Sequence, residues 1–221
     1  MHLVVTATQF EMDAFKALDR SLFERVAHLV CGVGPVESAV RVTHYLAAHH
    51  RKIDSVVNFG IGGAYCTDGP DSVGLLDICV AEEEVLGDFG ICYGTETTAF
   101  TGDVFPANRF AVDGGLVQAA TSVLAEHTID HHRGVFVTVN GASGRKSRGD
   151  SLSGTYGAIC ENMEGAAIAR ACLTWAIPFF EVRAISNMVE DRPGSEWKTA
   201  QACERAARAA ALIVKRLRET P

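Results

Sequence analysis

Three polar positions in this chain stand just past apolar runs: Glu11, the segment Glu161-Asn162-Met163-Glu164, and Asn187. A carboxylate can orient and deprotonate water, and a carboxamide can donate and accept at once. If the apolar runs are strands, these groups sit at strand ends, where an open parallel sheet gathers ligands. Each also has a plainer reading. Glu11 and Glu164 could be first-turn acids that favour a helix dipole, and Asn187 could be a turn residue.

Gly60-Ile-Gly62-Gly63 follows the apolar run ending at Asn58. Glycines there let backbone approach a ligand closely, or simply make a tight strand-to-loop turn. No Gly-x-Gly-x-x-Gly opens a helix and no Gly-Lys-Ser/Thr is present, so neither a dinucleotide fingerprint nor a phosphate-cradling Walker loop is read. The histidine pairs His49-His50 and His131-His132 are adjacent residues whose side chains diverge, which makes poor chelators. The seven cysteines are scattered without Cys-x-x-Cys spacing and read as small buried hydrophobes in a reducing compartment. We expect no metal and no cofactor.

The elements that must position these groups alternate along the chain. His2 to Ala7 reads as a buried strand, followed by helical sequence with Phe10, Ala14 and Leu18 on one face. Leu22 to Val33 reads as a strand. Gly32 and Gly34 turn the chain, and Pro35 opens a helix carrying Val36, Ala39, Val40, Thr43 and Leu46 at helical period. Strands follow over Ile53–Asn58 and Leu75–Glu82, then loops with short strands over 83–111. A helix is expected over Asp113–His127, a strand over Gly134–Val139, and a mobile loop with a short helix over 140–157. Ala158–Cys160 leads to a helix over Glu164–Trp175, Pro178–Ser186 is a strand, and a last helix spans Glu196–Leu217 with Ala202, Ala206, Ala210, Ile213 and Leu217 on one face. This alternation predicts one α/β domain over residues 1–221, with a central sheet covered on both faces.

Composition narrows the function classes. Of 221 residues 48% are apolar, which excludes a disordered chain. A net charge of −7 argues against a nucleic-acid partner. No apolar run is long enough to span a membrane, and the first residues lack the charged-then-apolar pattern of a secretory leader. A cytoplasmic location is expected.

Four segments together carry a resemblance: Ala7-Thr-Gln-Phe-Glu11, Asn58-Phe-Gly-Ile-Gly-Gly63, Glu161-Asn-Met-Glu-Gly-Ala-Ala167 and Val182-Arg-Ala-Ile-Ser-Asn187. Their order resembles the nucleoside phosphorylase superfamily over nearly the whole chain. The resemblance is strongest to its nucleosidase branch, the methylthioadenosine/adenosylhomocysteine nucleosidases and futalosine hydrolases. It implies a three-layer α/β/α sandwich with a central mixed sheet and hydrolysis of a purine nucleoside's N-glycosidic bond. Glu11 matches the family's water-activating base, and Glu164 the carboxylate that holds the ribose hydroxyls. Met163 would pack on the sugar, Asn187 would stabilise the departing purine, and Gly62, Gly63 and Ser143 would lie against the substrate. A small-molecule nucleoside partner and a homo-oligomer, dimer or higher, are implied as well.

Asn187 departs from the Asp of adenine-specific relatives. A carboxamide can offer its NH₂ to a 6-oxo group while its carbonyl accepts from a protonated N7. That favours a hypoxanthine nucleoside, and futalosine in menaquinone biosynthesis fits. Sites built around a specific hydrogen bond reject mismatches strongly. The start Ala7-Thr-Gln-Phe-Glu11 lacks the arginine of the phosphorylases' Gly-Asp-Pro-x-Arg, which favours water over phosphate. Arg145, Lys146 and Arg148 are candidates for the carboxylate of futalosine's arm, against a plainly solvated basic loop. Phe100 or Phe105 are candidates to stack on the base. The rival readings are an adenine-releasing nucleosidase, a purine nucleoside phosphorylase and a non-enzymatic nucleoside sensor.

Overall fold

A computed structural model describes residues 1–67, 69, 72–94, 96–100, 107–191 and 197–219. In chain order the first half forms β1 (His2–Thr6), α1 (Gln9–Leu18), α2 (Arg20–Phe23), β2 (Ala27–Val30), α3 (Pro35–His49), β3 (Ser55–Tyr65), β4 (Ile78–Leu86), β5 (Gly90–Tyr93), β6 (Glu96–Ala99) and β7 (Arg109–Ala111). The second half forms α4 (Gly114–Glu126), β8 (His131–Thr138), α5 (Lys146–Tyr156), β9 (Ala158–Asn162), α6 (Gly165–Thr174), β10 (Phe179–Val189) and α7 (Thr199–Glu219).

The main sheet runs β2-β1-β3-β9-β8-β4-β10, with β7 beside β4 and β10 returning to pair with β3. That last pairing closes part of the sheet on itself. Most neighbours are parallel, but β3–β9, β4–β10 and β4–β7 are antiparallel, so the sheet is mixed. β5 and β6 form a separate hairpin. On one side α7 packs on β3 and β10 and is flanked by α1 and α4; α3 and α6 pack together elsewhere, with α6 against β4 and β8. The alanine-rich face of α7 is wholly buried, because small side chains let a helix lie close on the sheet. Among the described residues no helix is long and apolar enough to cross a membrane.

Several sequence expectations shift in the folded chain. The buried face of α1 is Glu11, Met12 and Phe15, not Phe10 and Leu18, which are exposed. In α3 the buried residues are Ser38, Val42 and Leu46, while Val36 and Val40 face outward. Spacing alone could not tell two apolar stripes apart on these helices. Leu22 to Val33 is not one strand: Leu22 lies in α2, and β2 covers only Ala27–Val30. The 140–157 segment is largely the 11-residue helix α5, anchored by buried Leu152 and Tyr156 one turn apart. β3 and β10 each run past their expected ends, so the glycines and Asn187 stand inside strands, not after them. Five cysteines are buried as expected, but Cys92 is exposed and Cys66 half-buried. Glu196, the expected first residue of the last helix, and Phe105 lie outside the described residues.

Candidate active site

The site begins where β1 gives way to α1. Thr8 is the N-cap, and its hydroxyl accepts from the Glu11 amide while the Glu11 side chain reaches back, a capping box. Glu11 Oε2 accepts from the Thr8 amide at 2.9 Å and the Thr8 hydroxyl at 2.8 Å, and Oε1 accepts from the Ile61 amide at 3.2 Å. Three donors thus hold a carboxylate that is only 4% exposed. It is not the solvated first-turn acid of the plainer reading.

Gly60, Gly62 and Gly63 are glycines for steric reasons. A Cβ on Gly60 would sit 2.5 Å from Glu11 Oε1, and one on Gly62 would sit 2.6 Å from Cys160 Sγ. One on Gly63 would lie 3.1 Å from Asn187 Nδ2. Bare backbone here lets side chains from α1, β9 and β10 converge.

Glu164 caps α6 without a side-chain capping bond. Its Oε1 accepts from the Gly34 amide at 3.2 Å, and its Oε2 pairs with Arg183 Nη2 at 3.2 Å. Arg183 is buried, and also reaches Glu181 Oε1 through Nε at 2.7 Å and the Ile61 carbonyl through Nη1 at 3.1 Å. Burial alone would lower its pKa. The carboxylates of Glu181, Glu164 and Glu11 outweigh burial and hold the guanidinium charged above its ordinary range.

Asn187 owes its position to a bulge in β10. Ile185 pairs with Gly62 and Asn187 with Gly63, so Ser186 is an extra residue. Ser186 and Asn187 therefore both line the pocket, although neighbours in a regular strand point to opposite faces. The Ser186 hydroxyl has two acceptors in reach, Asn187 Oδ1 at 2.8 Å and the Gly62 carbonyl oxygen at 3.2 Å.

These groups surround a cavity of about 330 Å³. Glu11, Gly62, Gly63, Met163, Glu164 and Asn187 all line it, together with Glu161, Arg183 and Ser186. Its remaining wall is largely apolar, including Phe10, Val33, Val139 and Trp197. Ser143 does not line it; its amide donates to Glu161 Oε1 at 2.8 Å, so it acts on a wall residue. Phe100 is also away from the cavity, edge-on against Phe89. Arg145, Lys146 and Arg148 do not line it either. Arg148 is spent on Ser143 and Asp88, Lys146 on Asp150, and Arg145 faces Asp191. Among the described residues no group of three or more metal-ligating side chains comes together.

A pocket with three buried carboxylates (Glu11, Glu161 and Glu164), an ion-paired arginine and a carboxamide can hold hydroxyls, orient water and meet a polar heterocycle. The family model described as the phosphorylase superfamily matches residues 8–219. The chain belongs to the phosphorylase superfamily. Within this superfamily it is similar to the futalosine hydrolase of Thermus thermophilus, 32% identical over 82% of this chain and 78% of that protein. It is also similar to the 5′-methylthioadenosine/S-adenosylhomocysteine nucleosidase of Geobacillus kaustophilus, 29% identical over 84% of this chain and 76% of that one. A crystal structure of a Helicobacter pylori nucleosidase mutant with 5′-methylthioadenosine in its active site shares the superfamily fold, with a TM-score of 0.84 and 19% identity over 97% of each chain. The chain is an enzyme of the superfamily's purine nucleosidase type.

Sequence reasoning passed over Arg183, Ser186, Phe10 and Trp197 as wall residues. Arg183 had a legible signal: a lone cation inside the strongly apolar run from Pro178 to Ser186 must find carboxylates if that run is buried. Thr8-x-x-Glu11 was likewise readable as a capping box.

Proposed function

We propose that this enzyme hydrolyses the N-glycosidic bond of futalosine, releasing hypoxanthine and dehypoxanthine futalosine. The observation that carries the reading is the Asn187 carboxamide, tethered through Oδ1 by the Ser186 hydroxyl. With the Ser186 proton on Oδ1, the nearer of its two acceptors, Nδ2 is left to donate to a 6-oxo group, and the second lone pair of Oδ1 can accept from a protonated N7. A 6-amino group would meet Nδ2 donor to donor. The 32% identity to a futalosine hydrolase supports the same substrate.

In this mechanism Glu11 is the general base. Its three fixed donors keep it oriented, and it removes a proton from water attacking the anomeric carbon. Glu164, set by Gly34 and Arg183, accepts from the ribose hydroxyls, and Met163 packs on the sugar. The negative charge of Glu164 stabilises the oxocarbenium character that develops on the ribose, while Asn187 meets charge developing on the leaving purine, whose N7 takes its proton from solvent. Water is favoured over phosphate because Arg183 is the cation among the described wall residues, and Glu164 and Glu181 already hold it.

A homo-oligomer fits this reading. Phe10 and Val33 line the pocket yet are exposed at 55% and 53%, as apolar walls left for a second copy would be.

The test is base release from futalosine, inosine, aminofutalosine and methylthioadenosine, each with and without phosphate. Hypoxanthine from futalosine without phosphate is the expected result. Adenine from methylthioadenosine would move the enzyme to the branch of its Geobacillus relative, and a phosphate requirement would make it a phosphorylase.

A further inference from the structure

Beneath the N-terminus of α6 lie two carboxylates that do not themselves line the cavity. Glu84 on β4 and Glu181 on β10 are fully buried. Gly165 makes room for both: a Cβ there would fall onto Glu84 Oε1 and Glu181 Oε2. The two oxygens thus converge on one small space.

The donors around them are already assigned. Glu84 Oε1 accepts from Asn162 Nδ2 at 2.6 Å, and Oε2 accepts from the Thr138 hydroxyl at 2.8 Å. Thr138 Oγ also lies 3.1 Å from Asn162 Oδ1, but that oxygen is filled by the amides of Glu164 and Gly165. The hydroxyl proton therefore goes to Glu84. Glu181 Oε1 takes Arg183 Nε, and Glu181 Oε2 is a buried acceptor with no donor among the described residues. Two ionised carboxylates facing each other in this buried space would leave that acceptor without a protein donor and add like charge.

We infer that Glu84 and Glu181 share one proton, and that this proton fixes Glu181, Arg183 and so Glu164 as a positioned chain. The proton resides on Glu84 and is donated to Glu181 Oε2. Glu181 stays anionic toward Arg183, and Arg183 holds Glu164 at 3.2 Å. Glu84 and Glu181 are positioning residues, since neither reaches the cavity. Burial, then the Glu181 carboxylate, hold Glu84 well above the usual carboxylate range, against the opposing pull of Thr138 and Arg183. The other groups facing the pair are Asn162 and the buried Cys160 thiol on β9, while Glu164 meets it only through Arg183. Without the shared proton, Arg183 would face four carboxylates, Glu11, Glu84, Glu164 and Glu181.

The consequence for the ribose rests on the proposed role of Glu164; the proton itself is measured without substrate. At pH 8 the infrared spectrum of the wild-type enzyme should contain the band of a protonated, slowly exchanging carboxyl group, absent from Glu84→Gln. No such band overturns the inference. A carboxyl kept protonated in the folded state but ionised in the unfolded one makes folding weaken as pH rises. The wild-type folding constant should therefore fall by up to about tenfold per pH unit relative to Glu84→Gln above pH 5. A ratio independent of pH contradicts the proton. For positioning, Glu84→Ala should raise KM about tenfold, the scale of a misplaced charge-assisted hydrogen bond. Glu84→Gln, which keeps a hydrogen at that place but gives up the bond from Asn162, should restore most of it. Partial unfolding alone would lower kcat at constant KM, and that outcome overturns the positioning role. If the band and linkage are found but no nucleoside is hydrolysed, the proton stands and the substrate assignment falls.

Discussion

Glu11 is both a helix cap and the proposed base, and the two roles share the same atoms. Replacing it with Gln keeps size and the bonds Thr8 can make, but removes the proton acceptor. Glu11→Gln should retain nucleoside binding and lose turnover by about 10²–10⁴-fold, the usual worth of a general base. Equilibrium binding of a non-hydrolysed nucleoside, set beside single-turnover rates, checks this, and retained turnover removes Glu11 from the mechanism. Asn187→Asp changes one donor into a group that can carry a proton to N7 and accept from a 6-amino group. It should move the ratio of kcat/KM values toward adenine nucleosides. An unchanged ratio would show that another group reads the base. Glu11, Glu164 and Asn187 were legible as residues because polar side chains stood out against apolar runs. Their partners were less so. The Ser186 tether and the Gly34 amide on Glu164 join positions distant in the chain or out of strand phase, which spacing does not encode.

The elements explain why the pocket has this shape. β3 crosses beneath it as backbone nearly bare of side chains, and β10 bends there through one extra residue. Gly60→Ala would drive a Cβ into Glu11 Oε1 and to 2.9 Å from Arg183 Nη1. Overpacking of this kind costs about 1–3 kcal/mol, and here it also displaces the base. A lowered thermal midpoint and a larger loss of kcat than of fold should appear together. Full activity in the folded variant would show that Glu11 tolerates displacement. Thr8→Ala removes the cap of α1 at a cost of about 1 kcal/mol and takes one donor from Glu11, so urea unfolding and turnover should both respond. Periodicity located most helices and strands. It did not place the bulge, because an apolar run such as Pro178–Ser186 reads as an unbroken strand until its partner strand imposes a register. The expected glycine loop proved to be strand for a related reason: glycine is depleted from strands in general, and only the crowding neighbours make it necessary here.

At the scale of the whole molecule, burial sets the reactivity of its thiols. Desolvation first, with nearby carboxylates adding to it, pushes the Cys31 and Cys203 thiols up to about 12, and burial does the same for Cys172. Cys79 and Cys160 are also buried and raised. A disulfide reagent on the native enzyme should therefore modify Cys92 quickly and Cys66 more slowly, with the other five reacting only on unfolding. Fast reaction of more than two thiols would mean that the core opens readily. The sequence by itself determined the alternation of strands and helices, the superfamily and three polar residues of the pocket, Glu11, Glu164 and Asn187, because these follow from local pattern and motif. Only the tertiary structure decided which helix faces turn inward, that Arg148 and Ser143 stand off the cavity, and that Glu84 meets Glu181. Those outcomes depend on which distant backbones and charges are brought together without water, and no window along the chain contains that information.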